Sequence, residues 1–88
     1  MTDTQATPYD PQHGDHVRIV CTGPTPGESI YEGVVHRQPE DLNGFELKGR
    51  WITRGKDVHL WFAVDRVVRG NATPGFGQTT TLIRKAQP

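Results

Sequence analysis

Two segments in the middle of the chain alternate strictly between apolar and polar positions. In residues 45–51 the alternating set is Phe45, Leu47, Gly49 and Trp51, and in residues 58–64 it is Val58, Leu60, Phe62 and Val64. Successive side chains of a strand point to opposite faces, so a period of two predicts two strands, each with one buried face. The other faces are then predicted to carry Glu46, Lys48 and Arg50 on the first strand and His59, Trp61 and Ala63 on the second.

A tight turn at Arg54-Gly55 is predicted to join the two segments into an antiparallel hairpin, because glycine readily supplies a positive φ. The resulting register pairs Trp51 with Val58, Arg50 with His59, Lys48 with Trp61 and Leu47 with Phe62. Both faces keep their character under this register, which favours the hairpin.

Shorter patterns predict strands at residues 16–21, 30–37, 65–69 and 79–84, the last of them at an edge, and no stretch has a convincing helical period. Five or six short strands predict an all-β fold, a small SH3-like or Sm-like barrel. Residues 1–14, with Pro8, Pro11 and Gly14, are predicted to form a flexible N-terminal arm before one domain at residues 15–88. Gly33, inside a predicted strand, indicates a bulge or a tight bend.

The length of 88 residues allows one hydrophobic core, and a thin one, because Leu, Ile, Val and Phe together number 19. Cys21 is the only cysteine, so no internal disulfide forms, which favours a cytoplasmic protein. The first residues have neither the basic start nor the apolar run of a secretory signal, and no apolar stretch approaches the ~20 residues of a membrane span.

The charges are divided unevenly along the chain although the formal net charge is zero. Residues 1–46 carry eight acids and two bases, whereas residues 47–88 carry eight bases and two acids. Such a division is typical of a surface that binds a polyanion. The competing interpretation is that the two blocks pair with each other across one small domain.

Part of the chain resembles Sm-like proteins. Gly33, Glu40 and Leu42-Asn43 follow the order of the first motif of that family, and Val67-Val68-Arg69-Gly70-Asn71 is similar to the second, an apolar strand that ends in Arg-Gly. The resemblance covers about half of the chain. It implies a barrel in which Asn43 and Arg69 line a nucleotide pocket.

Trp61 is the sharpest candidate for a binding residue, because it is predicted to face outward beside basic side chains. An exposed aromatic among bases offers a stacking platform with flanking phosphate contacts. The candidate binding residues from the hairpin are Lys48, Arg50, Arg54, Lys56, His59 and Trp61. Two alternatives remain open: residues 70–88 cover Trp61, or its surroundings form a groove for an extended peptide. Trp51 is predicted to face the core, and Arg54 and Lys56 equally suit a solvated turn.

Catalytic and metal-binding patterns find little support. His13 and His16 have the spacing of a ligand pair, but Cys21 is predicted to face inward while His16 faces outward, so we expect no metal site. Gly75-Phe76-Gly77 is too short for a phosphate-binding loop, and Cys21 is predicted to face inward, whereas a Cys–His nucleophile pair needs an exposed, activated thiol. We therefore expect neither enzymatic activity nor a cofactor.

The sequence thus predicts a small, non-enzymatic binding module, and two hypotheses describe its partner. The first is a nucleic-acid-binding regulator that holds single-stranded nucleic acid on the basic and aromatic hairpin face. The alternative is a protein-interaction module that binds a peptide or a partner protein, such as an inhibitor of a transcription factor, or assembles into a homo-oligomer.

Overall fold

The computed structural model describes residues 9–23, 27–70 and 77–86. Its elements are β1 (His16–Thr22), β2 (Glu28–His36), β3 (Gly44–Trp51), β4 (Lys56–Ala63), α1 (Asp65–Gly70) and β5 (Gly77–Arg84). No helix among these residues has the length and apolar character needed to cross a membrane.

The five strands form one antiparallel sheet in the order β4-β3-β2-β1-β5. The first four strands each pair with their neighbour in sequence, and β5 returns to pair with β1. The predicted all-β class is therefore confirmed, as is the edge position of the last strand. The predicted closure into a barrel is not seen, since β4 and β5 are the two edges of an open sheet.

One face of the sheet carries the core, and we call the opposite side the outer face. The fully buried apolar side chains are Val17, Ile19, Val35, Phe45, Leu47 and Val64. They occupy alternate positions of β1, β2 and β3, with Val64 following β4, as the apolar alternation predicts. Tyr9, Tyr31, Phe62 and Leu82 pack around this cluster while partly exposed.

The predicted hairpin exists, but its predicted register is wrong by two residues. Leu47 pairs with Leu60, and Lys48 pairs with His59. The loop has four residues, 52–55, and both Arg54 N–H and Gly55 N–H donate to the carbonyl of Trp51, at 3.2 and 2.8 Å. Gly55 ends this loop with φ +65°. A shift of two residues moves each pair along the strand but leaves every side chain on its predicted face.

The predicted strand at residues 65–69 is also wrong, because these residues form the short helix α1. The carbonyl of Val64 accepts bonds from Val67 N–H at 2.9 Å and Val68 N–H at 3.1 Å. The Asp65 carboxylate is buried and accepts bonds from Thr80 N–H at 2.6 Å, Thr80 Oγ1 at 2.7 Å and Gln78 Nε2 at 2.9 Å. These tertiary bonds hold the start of α1 against β5 and outweigh the β propensity of the valines.

Gly33 and Gly49 lie directly opposite each other on β2 and β3. A Cβ added to Gly49 would lie 2.0 Å from the carbonyl oxygen of Glu32, and one added to Gly33 would lie 2.4 Å from that of Lys48. The two backbones therefore approach more closely than side chains would permit, which is one use of glycine inside a strand, and the β2–β3 register continues through Gly33 without a bulge.

Residues 9–14, which belong to the predicted N-terminal arm, contact the sheet. Asp15 is fully buried and accepts hydrogen bonds from Tyr9 Oη, from Gln12 N–H at 2.9 Å and from Ala86 N–H at 2.9 Å. Burial alone would raise the pKa of Asp15, but these bonds outweigh it and lower the pKa. Asp15 thus fastens the segment before β1 to the segment after β5.

Candidate functional site

The outer face of the hairpin carries the polar side chains that the alternation predicts. Glu46, Lys48 and Arg50 project from β3, and Asp57, His59 and Trp61 project from β4; all six are exposed. Across the two strands Trp61 lies opposite Glu46, His59 opposite Lys48, and Asp57 opposite Arg50. Each pair on this face therefore joins a base to an acid, an aromatic to an acid, or a base to an imidazole.

Trp61 is 60% exposed, so the described part of the C-terminal segment, residues 77–86, does not bury it. The indole lies diagonally across from Gly44 and fills the space where a side chain would stand. A Cβ added to Gly44 would be 2.0 Å from Trp61 Cζ2 and 2.5 Å from Cε2. One side of the ring is therefore supported by the backbone of β3 while much of its surface remains open to solvent.

Acids contact two of the candidate binding residues, His59 and Arg50. His59 Nε2 lies 2.9 Å from Glu46 Oε1, and Arg50 lies 3.3 Å from Asp57 while also donating to the carbonyl of Gly55 at 2.8 Å. Lys48 forms no ion pair within 4.0 Å of another described residue. It is therefore the base on the hairpin face whose charge is most available to a ligand.

The ion pairs of the described residues mostly join partners within one charge block. Arg18 pairs with Glu32, and Arg37 pairs with Asp10 at 2.9 Å, all within residues 1–46. Arg50 and Asp57 both belong to residues 47–88. Only the His59–Glu46 contact crosses from one block to the other. In the described parts of the chain, mutual pairing thus explains little of the charge division.

The hairpin loop holds the two other candidate bases. Arg54 lies over the Trp51 ring, 5.4 Å from its centroid, in cation–π geometry. Lys56 begins β4 opposite Trp51 and is exposed. Trp51 is half-buried and stacks on Tyr31 with the ring centroids 5.5 Å apart. It therefore borders the core and is not one of the fully buried residues.

Asn43 and Arg69, the pocket residues implied by the Sm-like resemblance, are both exposed. Their segments are neighbours, since Asn43 O accepts from Val64 N–H at 2.9 Å and Arg66 donates to Leu42 O at 3.3 Å. The second segment is helical, however, where the family motif has an apolar strand.

Sequence analysis missed a line of imidazoles on the outer face. The ring centroids of His13 and His36 are 5.7 Å apart, and those of His36 and His59 are 6.3 Å apart. Alternation alone would have placed His36 on this face, but its contacts with His13, which precedes β1, and with His59, on β4, depend on the tertiary structure. No group of three or more His, Cys, Asp or Glu within the described ranges has an arrangement suited to a metal ion.

The analysis also missed the role of Arg37, whose side chain is 11% exposed. Its guanidinium donates to the carbonyls of Pro11, Asp41 and Leu42 at 2.6, 2.8 and 3.1 Å. Arg37 thus organises the loop between β2 and β3, beside a cavity of about 350 Å³. A separate groove of about 500 Å³ on the hairpin is lined by Lys48, Gly49, Asp57, Val58 and His59.

Comparison with known proteins gave no match to a family model, to a curated protein or to a solved structure. The resemblance to Sm-like proteins therefore stays a prediction from the sequence.

Proposed function

We propose that this protein is a small, non-enzymatic module that binds single-stranded nucleic acid on the outer face of its hairpin. The observation that carries the proposal is Trp61, an exposed indole supported from behind by Gly44 and placed on the same face as Lys48. A flat aromatic beside an unpaired ammonium offers both contacts that a single strand requires, one for a base and one for a phosphate.

The magnitudes favour stacking as the larger contribution of a single residue. Stacking of one base on an aromatic side chain is worth about 1–3 kcal/mol by alanine substitution. Basic side chains that are already paired with acidic side chains of the protein contribute less, because a phosphate must compete with the carboxylate. We therefore assign the main roles to Trp61 and Lys48, with His59 and Arg50 as supporting contacts.

Binding of a fluorescein-labelled oligothymidylate, followed by anisotropy at low salt, tests the proposal. Trp61→Ala is expected to weaken binding about five- to 150-fold, the equivalent of one lost stacked base. Leu42→Ala is the matched control, because Leu42 is a 70% exposed apolar residue on a loop outside the hairpin face. Thermal melts of both variants check that the fold is intact. The proposal fails if the wild-type protein binds no oligonucleotide at low salt, where electrostatic attraction is strongest.

A protein partner is the second candidate function, and the exposed edge strand favours it. Among the described residues no strand pairs with the free edge of β4, and two apolar residues of the hairpin are exposed, Leu60 at 39% and Ile52 at 43%. An extended peptide, or a second copy of the chain, would add to this edge through backbone hydrogen bonds. Sedimentation equilibrium over a range of concentrations tests self-association, and a constant monomer mass would exclude the second copy.

The finer description of the fold, a small barrel of the SH3-like or Sm-like kind, is also a proposal. Two features support it: Gln78 on β5 donates to the carbonyl of Ala63 at the end of β4, at 2.7 Å, and the Gly33–Gly49 pair permits a sharp bend. Cross-strand NOEs between β4 and β5 test how closely the edges approach. We further propose a cytoplasmic location, since a chain with one cysteine needs no oxidising compartment.

A further inference from the structure

A row of residues without a single acid crosses all five strands on the outer face. Each member lies opposite the next in the register of neighbouring strands. From β4 to β5 the row consists of His59, Lys48, Val34, His16 and Arg84, and an irregularity of the β1–β5 register between His16 and Val17 brings Arg84, in place of Ile83, opposite His16. We call these five residues the basic row. Four gaps between strands at about 4.8 Å each give it a length of about 19 Å.

We propose that the phosphate chain of a bound single strand follows the basic row across the sheet, from the hairpin to Arg84 on β5. The inference rests on the proposed function and extends it, because it adds His16 and Arg84 to the interface and defines the path of the nucleic acid across the sheet. Trp61, two residues along β4 from His59 and on the same face, would then stack a base at the β4 end of the path.

Four of the five members of the row offer donors to phosphate oxygens. Lys48 offers an ammonium, Arg84 offers a planar fork of N–H donors, and each imidazole offers at least one N–H donor. Val34 is 40% exposed and leaves an apolar surface between the two halves of the row. Arg84 forms no ion pair within 4.0 Å of another described residue, so a phosphate would not have to compete with a carboxylate for its guanidinium.

The neighbouring row explains why the path runs across the strands and not along the hairpin towards its loop. That row reads Asp57, Arg50, Glu32 and Arg18 from β4 to β1, with alternating signs. Its members are already paired as Arg50–Asp57 and Arg18–Glu32. A phosphate chain directed at Arg54 and Lys56 would have to cross this self-neutralised row, whereas the one member of the basic row that contacts an acid among the described residues is His59, beside Glu46.

Glu46 is an acid beside the basic row, and its substitution is expected to change the binding affinity in the opposite direction. It lies opposite Trp61 and holds His59 Nε2 at 2.9 Å. A phosphate at the β4 end of the row would compete with this carboxylate for the imidazole. Glu46→Gln is therefore expected to tighten binding several-fold, whereas removing a member of the row weakens it.

The experiment measures oligothymidylate binding between about 50 and 200 mM salt for the wild type and three variants. The salt slope is the slope of the logarithm of the binding constant against the logarithm of the salt concentration. Lys48→Gln and Arg84→Gln are each expected to reduce its magnitude by about 0.7, and to weaken binding about five- to tenfold at 50 mM salt. Arg66→Gln is the control, since it removes the same charge from an exposed position on α1. The slope of this control is expected to equal that of the wild type.

The outcomes separate the inference from the proposed function. If Lys48→Gln lowers the slope but Arg84→Gln does not, the path stays on the hairpin and the inference is overturned, while the proposed function survives. If oligothymidylate does not bind, the proposed function fails, and inorganic polyphosphate then tests the row by itself. Polyphosphate binding that depends on both Lys48 and Arg84 would keep the row as a phosphate-chain site. An oligoglutamate that binds as tightly, with the same dependence on Arg84, would overturn the assignment to phosphate.

Discussion

The bonds of Asp65 predict that Asp65→Asn destabilises the fold strongly although the two side chains have nearly the same shape. In the wild type, Oδ2 accepts from Thr80 N–H, while Oδ1 accepts from Thr80 Oγ1 and Gln78 Nε2. The asparagine amide replaces one of these oxygens by an N–H₂ group. In one orientation of the amide this group faces Thr80 N–H, which loses its acceptor; in the other it faces Gln78 Nε2, which keeps only its bond to the carbonyl of Ala63.

The magnitude follows from the burial of the site. Asp65 is 1% exposed and Thr80 is 5% exposed, so water does not replace the lost acceptor. A buried donor left unpaired costs about 1–3 kcal/mol, and the remaining bonds lose the advantage of a charged acceptor. We expect a total loss of about 2–4 kcal/mol. A domain of this length has a free energy of unfolding of about 4–13 kcal/mol, so the loss is a large fraction of it.

Urea unfolding followed by tryptophan fluorescence measures the effect. With a slope of about 1–2 kcal/mol/M for a small domain, the midpoint is expected to fall by about 1–4 M. Asp57→Asn is the matched control, because the Asp57 side chain is 87% exposed and its ion pair with Arg50 lies at the surface. The control is expected to change stability by less than about 0.5 kcal/mol. Equal midpoints for the two variants would refute the role of Asp65 as the tie between α1 and β5.

Three further predictions concern other parts of the fold. Gly44→Ala is expected to displace the indole of Trp61, since the new Cβ would lie 2.0 Å from Cζ2; unchanged tryptophan emission and near-UV circular dichroism would contradict this. Burial, followed by the hydrogen bond to Asp15, raises the pKa of Tyr9 to about 12. Because this folded value exceeds the unfolded one, the stability that the neutral phenol contributes is complete below about pH 10 and is lost as pH rises towards 12. The free energy of unfolding is thus expected to fall less steeply over this range in Tyr9→Phe, and identical pH profiles would contradict it. Leu47→Ala is expected to cost about 2–5 kcal/mol in urea unfolding because Leu47 is fully buried; a loss no larger than that of Ile83→Ala, at a 48% exposed position, would show that Leu47 contributes little.

The sequence predicted which face each hairpin residue occupies, because burial imposes a period of two that is visible without any partner. It did not predict the register, because the loop length depends on where the chain reverses. Gly55 was recognised as a turn residue, but the bonds from the loop to Trp51 O make it the last of four loop residues. The face that Trp61 occupies could thus be predicted, while its exposure and its partner across the sheet could not.

Elements held by distant contacts were the ones that sequence reasoning missed. Residues 65–69 have the composition of a strand. Their helical conformation is stabilised by hydrogen bonds between Asp65 and β5, which no local sequence pattern predicts. Asp15 likewise resembles a solvated loop residue in the sequence, whereas in the structure it is buried and accepts a hydrogen bond from Ala86, far along the chain. Arg84 entered the candidate interface only through the pairing of β5 with β1, which joins opposite ends of the chain.

The bond between Asp15 and Ala86 has a mechanical consequence. β1 and β5 are antiparallel neighbours, so the start of β1 and the end of β5 lie at the same end of their ladder. Tension applied through the two ends of the chain would therefore load this ladder one residue pair at a time, beginning at His16 and Arg84, instead of shearing all of its hydrogen bonds together. The Asp15–Ala86 bond lies just outside the first pair and bears the load before it. Under tension in this direction, the hydrogen bonds of the ladder would break one after another at low force, and the bond to the Asp15 carboxylate would break before them.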